Sequence, residues 1–507
     1  MAVKRNVFKA ALGLSLVSLV SKLLGFAREQ AIAWRFGAGA AVDTYVAALA
    51  IPTLISGVVG GALSTAFLPV YSEARNTKEG EQLSGTVSVV NALFGVLGSV
   101  AALYFAPFLV RVLVGNFPAA QQAQTVLLLR ILSFGTLLMH ISFFLTMLFN
   151  SHRQFLLPAL NPVLQNGIIV AGVLGFGAGG MGYVAWAALI AMALPVLLLL
   201  GWALFRHYPI WAWPSYRDPK FAKVLKLSAP IFVAGVFGQL YMIVDRRLAS
   251  GLDPGSIASL NFANRLVQLP FGIFVMALST VVFPALADLA AQGNKKGFAE
   301  ALAAGLRALF ILLVPATVGL WVLRYPIVRL AFERGSFDAT DTAKTAFALG
   351  FYALGLLGLS AGTVLTRAFY SLHDTTTPVK VGILTAVLQA LLALLLVHPL
   401  AHGGLALANS IGVSLGAVAM FYLLRKSKVH LNMGATTLLS KVVIAALGMG
   451  VVSHLLLTVL SPLGEVVALS AAVTGGLAVY ALGLLLLRVA EVTSALKKAS
   501  LWWRSKR

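Results

Sequence analysis

The chain has 507 residues, of which 59% are hydrophobic and 11% charged, and its formal net charge is +22. Because soluble domains carry about 25% charged residues, this composition excludes a water-soluble globular protein and indicates that lipid surrounds most of the chain. The absence of cysteine excludes disulfide bonds and cysteine-ligated metal sites.

The apolar segments are long enough to be membrane-spanning helices. A helix needs about 20 apolar residues to cross a hydrocarbon core of about 30 Å, and roughly fourteen windows of the chain reach that length. The first window follows several basic residues and is predicted to be a membrane helix rather than a cleaved signal peptide. In chain order, the predicted spans cover residues 7–33, 40–71, 84–112, 124–150, 155–175, 182–206, 220–250, 256–291, 298–323, 340–371, 378–398, 403–425, 436–459 and 464–489.

The basic residues between the predicted spans are distributed unevenly. Lysines and arginines outside the spans number 15 in the N-terminus, the even-numbered gaps and the C-terminus, but 4 in the odd-numbered gaps. This bias is the positive-inside rule, which places both termini in the cytoplasm. Most of the positive charge is therefore topological, and we expect no nucleic-acid partner. The basic tail is expected to lie at the membrane surface, with Trp502 and Trp503 at headgroup level.

Three sequence echoes indicate an internal duplication. ALST occurs at residues 62–65 and 277–280, and a proline follows at the same distance in both copies. LTMLFNS at residues 145–151 resembles LTRAFYS at 365–371, and PFLVR resembles PIVR at nearly the same offset. Because the repeat contains six helices, an even number, both copies enter the membrane from the same side, as parallel repeats do.

The sequence therefore predicts an all-α polytopic membrane protein of two six-helix lobes plus two C-terminal helices. The lobes are related by a pseudo-twofold axis along the membrane normal. In chain order, the predicted parts are the first lobe at residues 1–206, a cytoplasmic interfacial linker at 207–219, the second lobe at 220–425, the additional helices at 436–489 and the basic cytoplasmic tail at 490–507.

Ionisable residues at bilayer depth are costly, and they usually face a water-filled cavity or a functional site. In the first predicted helix, Lys22 and Arg28 are six residues apart, which places them on one broad side, and Glu29 partly compensates Arg28. The eighth predicted helix carries a polar stripe at positions i, i+3, i+4 and i+7, which consists of Asn261, Asn264, Arg265 and Gln268. We expect these groups to line a cavity. The alternative is a set of structural ion pairs between helices.

The deeply placed bases outnumber the acids, and a cationic cavity suits an anionic substrate. Arginine matches phosphate because its planar guanidinium binds bidentately. Asp245, next to two arginines in the seventh predicted helix, is either a cation site or a structural ion-pair partner. No phosphate-binding G-x-x-x-x-G-K-[ST] motif occurs, so we expect a transporter without ATPase activity, driven by the membrane potential, an ion gradient or consumption of the product.

Several segments together resemble the MurJ (MviN) family of the multidrug/oligosaccharidyl-lipid/polysaccharide exporter superfamily. They include SKLLGFAREQAIAWRFGAGAAVDTYVAALAIP at residues 21–52, LNFANRLVQLPFGIFVMALSTVVFPALAD at 260–288 and AFYSLHDTTTPVKVG at 368–382. The resemblance implies two six-helix lobes plus two helices, and a lipid II flippase that works by alternating access. It also implies a cationic cavity lined by spans 1, 2, 7 and 8, and a groove at spans 13 and 14 for the polyprenyl tail.

Several individual positions match the family's pattern, and a few depart from it. The family has two arginines around LGF in the first helix; here the second is Arg28, whereas the first is replaced by Lys22. The other positions that match the family's substrate-binding residues are Glu29, Asp43 and Arg265. Family members often carry an arginine pair in the second helix, and this chain has Ser56 and Gly57 there.

The resemblance also implies partners and cofactors. We expect lipid II and membrane lipids as partners, a monomer, and no cofactor, with coupling to the membrane potential or to Na⁺. Some family members bind sodium through an aspartate that matches Asp245, although the helix 11 segment offers only Gln389 as a polar partner. The alternatives are a flippase for another polyprenyl-pyrophosphate-linked glycan and a multidrug or cation antiporter of the same superfamily. A membrane scaffold would leave the deep bases without a purpose.

Overall fold

The computed structural model describes residues 2–426 and 435–494, apart from the side chains of residues 2–12, 15, 276, 277, 279–281, 435 and 436. Within these ranges the chain forms helices and no strand. The helices are α1 (Ala2–Phe36), α2 (Ala40–Ala74), α3 (Lys78–Tyr104), α4 (Ala106–Val114), α5 (Ala119–Ser151), α6 (Leu156–Phe176), α7 (Met181–Phe205), α8 (Pro219–Ala249), α9 (Ser256–Ala291), α10 (Lys295–Val322), α11 (Arg324–Phe332), α12 (Ala339–Leu354), α13 (Leu356–Ser371), α14 (Thr376–Lys426), α15 (Ala435–Leu460) and α16 (Glu465–Leu486).

The all-α polytopic prediction is confirmed. By length and apolar composition, ten of the described helices are able to span a membrane, or eleven when α12 and α13, bent by 43°, count as one span. The single helix α14 contains two predicted spans, divided at Ala401, where the backbone is not helical. The number fourteen stays a prediction. The tail tryptophans Trp502 and Trp503 lie outside the described residues.

The predicted span over residues 84–112 is wrong as a continuous helix. It divides at Phe105, whose N–H donates to the carbonyl of Ala101 over 2.9 Å and closes α3. The nine-residue α4 then begins at Ala106, with Pro107 in its first turn. A proline fits the first turn of a helix because the N–H it lacks would have no partner there. A similar break separates α10 from α11, at Leu323.

The turns that follow α5 and α13 have the same backbone geometry. Arg153 and His373 occupy the left-handed region at φ 58° and 59°, and the next N–H in each turn donates to the carbonyl five residues earlier. This geometry closes the C-terminus of a helix. The turns lie 220 positions apart, at the offset of the predicted repeat. The lobe boundaries themselves stay predictions.

The chain divides into two compact units, each described by itself. The N-terminal unit comprises Met1–Ala258 and Arg334–Asp341. Its core lies among α2, α3, α5, α7 and the start of α8, where the ring of Phe67 stacks on Tyr71 at 4.8 Å and contacts Phe144 at 5.5 Å. The linker docks against α3, because Ile210 is buried in this core and the backbone N–H of Ser215 donates to the Thr86 hydroxyl.

The C-terminal unit comprises Ser259–Glu333 and Thr342–Arg507. Within it, α15 and α16 pack against α10, and the hydroxyl of Tyr480 donates to the carbonyl of Ile311 over 2.6 Å. Two ion pairs add to this packing. Arg307 lies 2.7 Å from Glu491, and Arg329 lies 3.3 Å from Glu465. The two helices outside the predicted duplication are therefore fixed to this unit along their length.

Close packing of α15 on α16 depends on a glycine. A Cβ on Gly476 would collide with the hydroxyl of Ser453, which donates to the carbonyl of Ala472 over 2.8 Å, whereas a Cβ on Gly448 would meet nothing within 4 Å. We therefore expect Gly476→Leu to destabilise the protein by about 1–3 kcal/mol through overpacking, and Gly448→Leu to change little. Thermal unfolding of the detergent-purified protein measures both, and equal midpoints for the two variants would contradict this packing.

Candidate substrate site

The charged residues of α1 form a local ion pair. The guanidinium of Arg28 donates to the carboxylate of Glu29 over 2.5 Å, and the Glu29 side chain is 4% exposed. The pair brings opposite charges together within one turn of α1. Lys22 lies on the same continuous helix, about 9 Å along the axis from Arg28 at 1.5 Å per residue. The roles of all three toward a substrate stay predictions.

Asp43, predicted to contact substrate, is bound to backbone amides. Its two carboxylate oxygens accept hydrogen bonds from the N–H groups of Gly255, at 2.6 Å, and Ala258, at 2.7 Å. These amides belong to the first turn of α9 and the residue before it, where helices have unpaired N–H groups and favour negative charge. Asp43 is 1% exposed. It therefore caps α9 from α2, and its predicted contact with substrate is not tested by this arrangement.

A second carboxylate supports the turn between α1 and α2. Asp341 accepts the N–H of Ala38 over 2.7 Å, while the N–H of Ser336 donates to the carbonyl of Trp34 over 2.8 Å. Gly37, at φ 67°, lies so close to Ser336 that a side chain would not fit. The segment 334–341 therefore caps the C-terminus of α1. Sequence analysis missed this contact because some 300 residues separate the partners.

The end of α8 carries Asp245 and two arginines. Asp245 is buried, and the hydroxyl of Tyr241 donates to it at 3.4 Å. Arg247 donates to the carbonyl of Arg111 on α4 over 2.7 Å. Nε and Nη1 of Arg246 are buried without a hydrogen-bond partner among the described residues. Buried donors without partners are costly, so Arg246 is a further candidate for holding an anionic oxygen. In the described ranges no three His, Cys, Asp or Glu side chains cluster as metal ligands do.

The polar stripe of α9 lies on the less buried side of the helix. Arg265 is exposed, and the other polar members of the stripe, Asn261, Asn264 and Gln268, are half-buried. The intervening apolar side chains are buried in the C-terminal unit: Phe262, Ala263, Leu266 and Val267. The helix thus separates an apolar face from a polar one, as the spacing predicts. Whether the polar face binds substrate stays a prediction.

The two positions that depart from the family's arginine pair differ in surroundings. Ser56 is fully buried, and its hydroxyl donates to the carbonyl of Thr136 over 3.3 Å. Gly57 has open space where a Cβ would lie. A long side chain therefore fits at one position and not at the other.

Sequence analysis also missed a buried histidine in the N-terminal unit. The ring nitrogen Nδ1 of His140 lies 2.9 Å from the amide oxygen of Asn91, whose NH₂ group donates to the His140 carbonyl. The ring packs against Gly60, and its other nitrogen, Nε2, has no partner among the described residues. A single histidine in an apolar helix gives no sequence signal that separates this arrangement from ordinary packing.

Known proteins match the chain over most of its length. The sequence profile described as lipid II flippase MurJ matches residues 32–475. The chain belongs to the MurJ family. A relative from Burkholderia cenocepacia, named lipid II flippase MurJ, is 29% identical over 442 residues, which cover 84% of this chain and 85% of that protein. A probable lipid II flippase MurJ from Haemophilus influenzae is 31% identical, with 86% of this chain and 89% of that protein covered.

The solved structures agree on the fold. A structure described as lipid II flippase MurJ in an inward closed conformation superposes with a TM-score of 0.82 at 24% identity. The match covers 94% of this chain and 98% of the solved chain. The chain is therefore a multi-span membrane protein with the fold of this family.

The capping role of Asp43 predicts a graded loss of stability. Asp43→Ala leaves two buried N–H groups unpaired, at about 1–3 kcal/mol each. Asp43→Asn keeps one acceptor oxygen, so we expect an intermediate effect. Asp253→Ala removes an exposed carboxylate from the same turn and should leave the unfolding midpoint unchanged. Thermal unfolding orders the three variants, and an Asp43→Ala midpoint equal to that of Asp253→Ala would exclude the capping role.

The surroundings of Ser56 and Gly57 predict opposite outcomes for an introduced arginine. Ser56→Arg forces a charge between α2 and α5, where an unpaired charge is strongly unfavourable, so little folded protein should accumulate in membranes. Gly57→Arg enters open space and should fold normally. Monodispersity after detergent extraction measures both variants. Normal folding of Ser56→Arg would show that the site at Ser56 is less tightly packed than described.

Proposed function

We propose that this chain is a lipid II flippase, which moves the undecaprenyl-pyrophosphate-linked peptidoglycan precursor from the cytoplasmic to the outer leaflet by alternating access. The observation that carries the proposal is the family match over residues 32–475, to a profile and relatives described as lipid II flippases. The chain is thus proposed to be a transporter of the cytoplasmic membrane rather than an enzyme. The charge bias between the spans supports cytoplasmic termini.

The chemistry of the substrate gives the deep bases a purpose. Lipid II carries a pyrophosphate, which arginine binds bidentately. The predicted bases Lys22 and Arg28 on α1 and Arg265 on α9 outnumber the acid Glu29 beside them, and they supply positive charge for an anionic headgroup. Arg246, with two buried donors lacking described partners, is a further base that fits this purpose. We propose that these bases serve the pyrophosphate headgroup during transport.

The membrane potential supplies a driving force in the required direction. An inside-negative potential favours outward movement of an anion by about 2.3 kcal/mol per charge per 100 mV. We propose this potential as the energy source, with no cofactor. Sodium coupling through Asp245 is a second candidate. Its buried carboxylate supports that idea, while the two adjacent arginines weaken it.

The proposal is tested by complementation in a bacterium depleted of its own lipid II flippase. The wild-type chain should restore growth, and Arg28→Ala and Arg265→Ala should fail to do so at equal membrane abundance. A charge-assisted hydrogen bond contributes about 1.5–3 kcal/mol, which corresponds to at least a tenfold loss of transport. Arg217→Ala, an exposed arginine in the linker, is the matched control and should restore growth.

The direct readout is the rate at which lipid II becomes accessible to a membrane-impermeant reagent added outside. Unchanged rates in Arg28→Ala and Arg265→Ala would exclude a role for both bases. A second candidate substrate is another polyprenyl-pyrophosphate-linked glycan, which the replacement of the family's arginine pair by Ser56 and Gly57 favours. Two results together would establish that alternative. The folded wild-type chain would fail to deliver lipid II to the outer leaflet, and it would restore growth to a strain depleted of such a glycan flippase.

A further inference from the structure

A cavity of about 390 Å³ lies within the N-terminal unit, at the end of the helices that the proposed topology places in the cytoplasm. Its walls come from α1, from the turn between α5 and α6, and from α7. They are largely apolar, with Leu14, Phe155 and Leu156 among them, and the polar lining consists of Arg153 and Gln154. Leu14 lies about 12 Å along α1 from Lys22 and about 21 Å from Arg28, at 1.5 Å per residue. The cavity volume falls within the range of small-molecule sites.

Arg153 and Trp202 line the cavity, and Arg206 lies beside Trp202. Trp202 lines the cavity and donates from its indole N–H to the side-chain oxygen of Gln154 over 3.2 Å. Arg206 lies over the Trp202 ring, 5.8 Å from its centroid. Arg153 is exposed and makes no ion pair with any residue the structure describes. An apolar cavity lined by a tryptophan and an exposed arginine, with a second arginine next to that tryptophan, has the polarity of a phospholipid site at the membrane interface.

The equivalent turn of the second sequence copy shows what this one lacks. There the position equivalent to Gln154 is Asp374, which accepts the N–H groups of Thr376 and Thr377 at 3.0 Å each and caps α14. These hydrogen bonds, those of Thr377 foremost, hold the pKa of Asp374 below its ordinary value. α6 begins without a side-chain cap. At the turn after α13 the protein thus supplies its own anion, Asp374, and His373 stands at the position of Arg153. At the turn after α5 it presents Arg153 without such an anion.

We propose that this cavity binds an anionic glycerophospholipid, whose phosphate contacts Arg153 and Arg206 and whose acyl chain lies along Leu14, Phe155 and Leu156. Charge complementarity favours this occupant, because Arg153 and Arg206 have no carboxylate partner among the described residues. Anionic lipids are also enriched in the cytoplasmic leaflet. The planar guanidinium groups suit phosphate oxygens. A zwitterionic lipid offers the same apolar chain without the net charge, so it should bind less tightly.

The test uses the full-length chain in detergent, titrated with phosphatidylglycerol or phosphatidylcholine, with thermal stabilisation and native mass spectrometry as readouts. The wild type should retain phosphatidylglycerol at concentrations about tenfold lower than phosphatidylcholine. The double variant Arg153→Gln/Arg206→Gln should lose this preference, because each change removes a charge-assisted contact. Arg425→Gln, an exposed arginine at the end of α14, is the control and should retain it.

A second variant keeps the test decisive if the double variant does not fold. Gln154→Asp copies the self-capped turn of Asp374, so it should fold at least as well as the wild type, yet its carboxylate should repel the lipid phosphate. Retained preference for phosphatidylglycerol in Gln154→Asp and in the double variant would overturn the proposal. A competition experiment adds a polyprenyl pyrophosphate at a concentration equal to that of phosphatidylglycerol. If the polyprenyl pyrophosphate displaces phosphatidylglycerol from the wild type but does not bind the double variant, the cavity is a site for the transported substrate and the proposal is overturned.

Discussion

The absence of water from the hydrocarbon core is the constraint on which the rest of this structure depends. A backbone or charged group there has to find its partner within the protein. Helices satisfy the backbone along their length but leave N–H groups free at one end and carbonyls free at the other. Asp43 binds the free amides at the start of α9, and the segment around Ser336 binds the carbonyls at the end of α1. Asp43, which resembles a substrate ligand in the sequence, thus binds a helix end.

The same constraint applies to the arginines of α1 and α8, whose partners can be compared. A carboxylate can be neutralised by backbone amides, but an arginine needs an anion or several carbonyls. Arg247 finds a carbonyl on α4, and Arg28 finds Glu29, whereas two donors of Arg246 find nothing among the described residues. A protein that keeps such donors unsatisfied loses stability. Arg246 directly follows the buried carboxylate of Asp245 in α8, so its charge has a neighbour of opposite sign although these two donors have no hydrogen-bond partner among the described residues.

Apolar length and charge bias were sufficient to predict the helices, because both follow directly from burial in lipid. The polar stripe of α9 was also predictable, since its spacing of three and four residues is a local property. The breaks at Phe105 and between α12 and α13 were not, because a short apolar helix beyond a bend has the same composition as a continuation of the span. The partners of Asp43 and Asp341 were not predictable either, because 212 and 303 residues separate them from the amides they bind.

The predicted duplication accounts for two turns that share a backbone geometry but differ in their side chains. The backbone geometry of the turns at Arg153 and His373 is retained because each closes one helix and begins the next. The side chain after each turn is free to change, and an aspartate caps α14 where a glutamine precedes α6. The turn after α13 therefore contains its own capping carboxylate, whereas the turn after α5 places Arg153 beside an apolar cavity. Equivalent turns of the predicted repeat thus keep one backbone geometry while they carry side chains of opposite charge, Arg153 at one turn and Asp374 at the other.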